Sequence, residues 1–277
     1  MALRLIAVDM DGTLLNDEKR VTEETRRAVR RAAEAGFEIV FCTGRTLVEL
    51  DDAMQALPEV RYAVCSSGGS LRDLHAGRVL HSCCFSPEMG RRLVERLLCF
   101  DGMVSVFAGG CACIQESWRE RIFEVFPPIL AQYNARYYAP KQNLTDYAAG
   151  KFGPVEKIFS IFVSEQERNR AWAAVRDIAC EQAASTPDNL ELNASGATKG
   201  NGLRRLAEML GVRQEEVMAI GDSGNDRTML EYAGVPAVVG NADPEIRALA
   251  RLVLPSNEEN GVAWALNRLL EGKLTWN

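Results

Sequence analysis

Four aspartates carry the first chemical signal: Asp9 and Asp11 in Asp9-Met-Asp-Gly-Thr13, and Asp222 and Asp226 in Gly221-Asp-Ser-Gly-Asn-Asp226. Each pair follows a short apolar run, Leu3 to Val8 and Val217 to Ile220, of the kind that forms a strand buried on both faces of a parallel sheet. In an open parallel sheet the ligand lies beyond the carboxyl ends of the strands, so both pairs head for one edge. One acid there is as readily a helix cap or a turn former. Four converging acids repel one another by several kcal/mol per close pair unless a cation offsets them. Every candidate ligand is an oxygen, which favours a hard ion, Mg²⁺.

Other residues at the same edge suit a phosphoryl group. The strand Glu38 to Cys42 runs into Thr43-Gly-Arg45, which brings a hydroxyl, and Lys199 adds a positive charge. Gly12, Gly44 and Gly224 allow backbone N–H groups to approach an anion closely. A metal, a lysine, a hydroxyl and free amides, with carboxylates left over for chemistry, fit phosphoryl transfer.

The elements that position these residues follow βαβ grammar. Thr22 caps a helix that stops at Gly36, the strand Glu38 to Cys42 follows, and a helix after Thr46 leads to a strand from Tyr62 to Cys65. The grammar changes after Ser70. A hairpin turns at Ala76-Gly77, a helix starts at Ser86-Pro87, strands at Met103 to Phe107 and Cys111 to Gln115 flank Gly109-Gly110, and Pro127-Pro128 breaks a helical stretch. A strand Glu156 to Val163 and a helix Glu165 to Gln182 complete this part, and the alternation resumes at Lys199. The expectation is an α/β protein in which residues 1–81 and 190–277 form a parallel-sheet core and 82–189 an inserted α+β module. Trp118, Phe123, Phe126, Tyr133, Tyr137 and Tyr138 read as that module's own core rather than as a pocket lining.

Composition narrows the classes. The chain has 277 residues, 47% of them hydrophobic and 25% charged, enough for a sizeable core. A net charge of -6 provides no basic excess for nucleic acid or an anionic membrane. No apolar run approaches a membrane span and no signal peptide is visible, so a cytoplasmic protein, monomer or homodimer, is expected. The 8 Cys show no metal-ligand spacing and read as reduced thiols. His75 and His81, the only histidines, belong to a hairpin, which disfavours a histidine phosphatase. Serine-hydrolase, P-loop and dinucleotide signatures are absent.

Asp9-Met-Asp-Gly-Thr-Leu-Leu15, Thr43-Gly-Arg45, Lys199-Gly200 and Gly221-Asp-Ser-Gly-Asn-Asp226, in this order, resemble the four motifs of the haloacid dehalogenase superfamily of phosphohydrolases. Gly196-Ala-Thr-Lys-Gly200, Gly240-Asn-Ala242 and Ser256-Asn-Glu-Glu-Asn-Gly-Val262 resemble its Cof-type sugar-phosphatase branch. The branch has Asn-Gly where this chain has Ser66-Ser-Gly-Gly69, and Asp-Gly where it has Asn260-Gly261. The resemblance implies a Rossmann-like core with an α/β cap. It implies Asp9 as the nucleophile that becomes an aspartyl phosphate and Asp11 as acid and base, protonated at the start by like-charged neighbours. It further implies Asp9, the Asp11 carbonyl and Asp222 as Mg²⁺ ligands, with Asp226 behind them. Thr43, Gly44, Lys199 and Asn225 would hold the phosphoryl oxygens of a small phosphate ester.

Two other readings compete with a phosphatase: a phosphomutase of the same superfamily, and a non-catalytic phospho-aspartate switch. A switch needs neither an acid two residues after the phosphorylated Asp nor a long insert, so Asp11 and residues 82–189 favour an enzyme.

Overall fold

The computed structural model describes residues 3–275 except residue 185. The chain divides into two compact units, Met1–Arg45 with Leu50–Ser82 and Thr198–Asn277, and Thr46–Glu49 with Cys83–Ala197.

The first unit is built on an eight-stranded sheet. Its strands are β1 (Leu5–Val8), β2 (Glu38–Cys42), β3 (Tyr62–Cys65), β4 (Ser70–Asp73), β5 (Arg78–Ser82), and later β12 (Val217–Gly221), β13 (Val235–Val238) and β14 (Leu252–Val253). Their order is β14-β13-β12-β1-β2-β3-β4-β5. The pairs from β14 to β3 are parallel, while β4 and β5 extend the edge as an antiparallel hairpin. Alternate side chains of each strand enter opposite cores. Ile6 and Val8 face one that includes Ala28, Val29 and Ala32 of helix Glu23–Glu34 and Val262, Ala263 and Leu266 of helix Gly261–Leu270. Leu5 and Ala7 face the other, with Leu203, Leu206 and Ala207 of helix Lys199–Leu210 and Met229 and Leu230 of helix Arg227–Tyr232. The result is a doubly wound, Rossmann-like α/β/α arrangement. Strand β1 sits between β2 and β12, where the winding reverses, and that reversal opens a crevice at the strands' carboxyl ends.

The second unit has a six-stranded sheet of β6 (Gly102–Ala108), β7 (Cys111–Gln115), β8 (Tyr138–Lys141), β9 (Val155–Phe162), β10 (Glu181–Ala183) and β11 (Asn189–Asn193), in the order β10-β11-β9-β6-β7-β8. Strand β11 pairs antiparallel with β9 and so belongs to this sheet. Trp118, Phe126 and Tyr138 are buried in an apolar core on one face with Tyr133 and Tyr137 packed against it, whereas Phe123 is exposed. The helix expected to run from Glu165 to Gln182 ends at Val175. The reason is local: the Gln182 side-chain amide donates to the carbonyls of Val175 and Ile178, satisfying the helix end, while its oxygen accepts from the Trp172 indole at 2.7 Å. None of the eight cysteines is in a disulfide. Among the described residues no helix is long and apolar enough to cross a membrane.

Helix Lys199–Leu210 begins where it must present Lys199 to the crevice, and its seat is close. A Cβ on Gly200 would lie 2.3 Å from the carbonyl oxygen of Thr228, a backbone atom that cannot swing aside. Gly200→Ala is therefore expected to destabilise the fold by about 1–3 kcal/mol, as overpacking does, even though alanine is the better helix former by about 1 kcal/mol. Denaturant unfolding checks this, and a variant as stable as the wild type would show that the helix has room to move.

Candidate active site

Strand β1 continues its ladder one residue past its end, with Asp9 N donating to Ile220 O at 2.9 Å, so Asp9 is fixed by backbone before its side chain makes any contact. The chain then folds back: Leu14 N and Leu15 N both donate to Met10 O, and Met10 is buried in the core. Gly12 adopts φ +84°, and a Cβ there would meet Asp222 Oδ2 at 2.6 Å. The glycine thus lets the loop lie against the residue that follows β12. Thr13 Oγ1 donates to Asp222 Oδ1 at 2.8 Å, a second tie between the two strand ends.

At the centre is the Lys199 ammonium, whose side chain is fully buried. It donates to Asp9 Oδ1 at 2.5 Å, to Asp226 Oδ1 at 2.6 Å and to Asn225 Oδ1 at 3.2 Å. Asp226 is itself pinned, because its Oδ2 accepts from the backbone N–H groups of Asp222 and Ser223 at 2.9 and 3.1 Å. Carboxylate oxygens of Asp9, Asp222 and Asp226 lie within 4.8 Å of one another. Three carboxylates against one ammonium leave two negative charges when all are ionised.

The electrostatics follow from that imbalance. Burial, and next the Asp226 charge, push the Asp9 carboxyl well up, with Lys199 opposing them. Burial and Asp226 also push Asp222 up to about 6, against the Thr13 hydrogen bond. For Lys199 burial acts downward, but Asp226 and Asp9 outweigh it and hold the ammonium charged. An all-oxygen donor set with excess negative charge fits a hard divalent cation.

Asp11 stands apart from this cluster. Arg45 grips its carboxylate with two hydrogen bonds, Nε to Oδ2 at 2.7 Å and Nη2 to Oδ1 at 2.8 Å, and Lys19 Nζ lies 3.0 Å from Oδ1. Burial acts upward on this group, but the Arg45 bonds and charge, joined by Lys19, hold its carboxyl well below the usual range. The expectation that like-charged neighbours keep Asp11 protonated is thus corrected: its immediate neighbours are the cations Arg45 and Lys19, which favour its ionised form.

The remaining expected residues lie along the same edge. Thr43 is buried, its N–H donates to Val64 O at 2.8 Å, and its hydroxyl accepts from Arg45 N at 3.1 Å. Gly44 is half-buried in the bend after β2. Asn225 turns its Oδ1 to Lys199 and the Ser223 hydroxyl, which leaves the amide as its donor. Sequence reasoning missed Lys19 and any role for Arg45 beyond its place in the motif. Lys19 reaches Asp11 from a turn in which it adopts φ +61°, a conformation that no periodicity signals.

Replacing Lys199 with methionine leaves Asp9 and Asp226 buried without their shared cation. In metal-free buffer at pH 7 the variant is expected to lose about 3–5 kcal/mol of stability. The deficit depends on pH: a carboxyl raised in the fold, as that of Asp9 is, costs nothing once protonated in both states, so the deficit shrinks as pH falls from 7 towards about 4, its unfolded value, and this part of it is gone below that. Urea unfolding at the two pH values measures it, and a deficit independent of pH would assign the loss to packing.

The sequence profile of the haloacid dehalogenase-like hydrolases matches residues 6–266. The chain is 31% identical to 5-amino-6-(5-phospho-D-ribitylamino)uracil phosphatase YcsE of Bacillus subtilis, over 95% of this chain and 94% of that protein. It is 29% identical to pyridoxal phosphate phosphatase YbhA of Escherichia coli, over 95% and 97%. A solved haloacid dehalogenase-like hydrolase from B. subtilis superposes with a TM-score of 0.82 at 26% identity, covering 96% of this chain and 100% of that one. The chain belongs to the haloacid dehalogenase-like hydrolases, in their Cof-type branch, and is a phosphoric monoester hydrolase.

Proposed function

We propose that the protein is a Mg²⁺-dependent, cytoplasmic phosphatase that hydrolyses small phosphorylated metabolites, sugar phosphates among them, through an aspartyl phosphate on Asp9. The observation that carries this reading is the Lys199 ammonium, 2.5 Å from Asp9 Oδ1, with both side chains buried. Its charge and hydrogen bond oppose the upward push of burial on Asp9 and so favour the ionised form, which is the nucleophile the reaction needs.

The residues divide the work. The Asp9 carboxylate attacks phosphorus while the bond to the leaving oxygen breaks. Water then attacks the same phosphorus, the bond to Asp9 breaks, and inorganic phosphate leaves. Lys199, the Thr43 hydroxyl, the Gly44 N–H and the Asn225 amide hold the phosphoryl oxygens. Asp226 acts through Lys199, which it shares with Asp9. Asp11, whose ionised form Arg45 and Lys19 favour, is set to take the water's proton; giving a proton to the leaving oxygen requires that it first acquire one as the Arg45 and Lys19 clasp loosens. Asp9, the Asp11 carbonyl and Asp222 would hold the Mg²⁺, which supplies charge neutralisation at the transferring phosphoryl group. The second unit, Cys83–Ala197 with Thr46–Glu49, would choose the leaving group while the first does the chemistry, so the expected boundary at 189/190 moves past strand β11. The relatives acting on a ribityl phosphate and on pyridoxal phosphate support a small monoester substrate.

Asp9→Asn is expected to fold and lose essentially all turnover, and a chelator to abolish activity that Mg²⁺ restores. A panel of phosphorylated metabolites assayed for inorganic phosphate tests both. Full activity in chelator, or an isomeric sugar phosphate formed in place of inorganic phosphate, would overturn the reading. Asp11→Asn should cost most with an alkyl phosphate and least with an aryl phosphate, whose leaving oxygen needs no proton; equal losses would assign Asp11 a purely structural part.

A further inference from the structure

Two of the sequence motifs have no place in the chemistry above: Gly240-Asn-Ala242 and the stretch from Ser256 to Val262. The structure gives their asparagines a continuous set of hydrogen bonds to the Asp9–Leu15 loop. Asn241 Nδ2 donates to Gly12 O at 2.8 Å. Asn241 Oδ1 accepts from the backbone N–H of Asn257 at 3.0 Å. Asn257, which is buried, donates from Nδ2 to Leu15 O at 3.1 Å and to Asp17 Oδ1 at 3.3 Å.

The orientation of Asn241 is settled by its partners. The Asn257 N–H is a donor and the Gly12 carbonyl an acceptor, so oxygen must face one and nitrogen the other. A flipped amide would set donor against donor at one end and acceptor against acceptor at the other. The same loop also touches the second acid-bearing strand end, since Asp243 N donates to Asp222 O at 2.9 Å. Residues 241–243 therefore form a crosspiece between the loop that carries Asp11 and the one that carries Asp222.

We infer that Asn241, oriented by Asn257, is a positioning residue for Asp11: it holds the carbonyl of the next residue and so fixes the backbone from which the Asp11 side chain springs. The inference rests on the reading of Asp11 as the group that moves the proton. It differs from the Arg45 and Lys19 contacts, which grip the carboxylate itself. With the Gly12 carbonyl released, the loop tilts, and the proton transfer to the leaving oxygen loses its alignment while phosphate binding does not.

The test measures kcat and KM with an aryl and an alkyl phosphate for the wild type, Asn241→Ala, Asn241→Asp and Asp11→Asn, together with denaturant midpoints. Asn241 is exposed, so its variants fold. Asp keeps the oxygen that accepts from Asn257 but loses the donor to Gly12, so both substitutions should act alike. The expected result is a kcat for the alkyl ester lowered about three- to tenfold more than for the aryl ester, at unchanged KM and midpoint. Equal losses for the two esters, or a loss that follows the midpoint, would overturn the inference. If Asp11→Asn discriminates between the esters and the Asn241 variants do not, the inference alone falls. If Asp11→Asn does not discriminate either, the reading of Asp11 falls and the inference with it.

Discussion

Everything at the strand ends depends on one ammonium buried between two carboxylates. Lys199 cannot leave its place without stranding Asp9 and Asp226, whose buried carboxylates it pairs with at 2.5 and 2.6 Å. This mutual requirement explains why the surrounding structure is so closely made. Helix Lys199–Leu210 is seated on a glycine contact, Asp226 is pinned by two backbone N–H groups, and Asp9 is set by the sheet ladder before its side chain is reached. Asp9 is thus held by elements that a ligand does not need to move.

The charge excess that remains gives the site its selectivity for a cation. Asp222 is tied to the first strand end through Thr13 and lies against Gly12, so the two acid-bearing loops keep their spacing without a metal. Asp11 belongs to a different electrostatic neighbourhood, between Arg45 and Lys19, although only Met10 separates it from Asp9. Opposite environments for two adjacent acids are a means by which a site assigns them different tasks.

Much of this was legible in the sequence, and for physical reasons. Apolar runs that end in acid mark strand ends in a parallel sheet, and this grammar located Asp9, Thr43 and Asp222 at one edge. Lys199 was visible because it opens a capped helix that follows the insert. Lys19 was not, since its contact with Asp11 depends on a left-handed turn conformation. The helix end at Val175 was hidden as well, because Gln182, which caps it, reads as one more helical residue. Asn241 and Asn257 were visible as motifs but silent as to purpose, since amide side chains that bond backbone carbonyls leave no periodic trace.

The central claim is that the carboxylate next to Lys199 becomes covalently phosphorylated. The most direct measurement is rapid acid quench of the enzyme during turnover, followed by peptide mass spectrometry. The account expects a transient phosphoryl group on the peptide containing Asp9, convertible by borohydride reduction to homoserine at position 9. A site that turns over substrate at full rate with Asp9 unmodified throughout, or with the phosphoryl group on another residue, would contradict it.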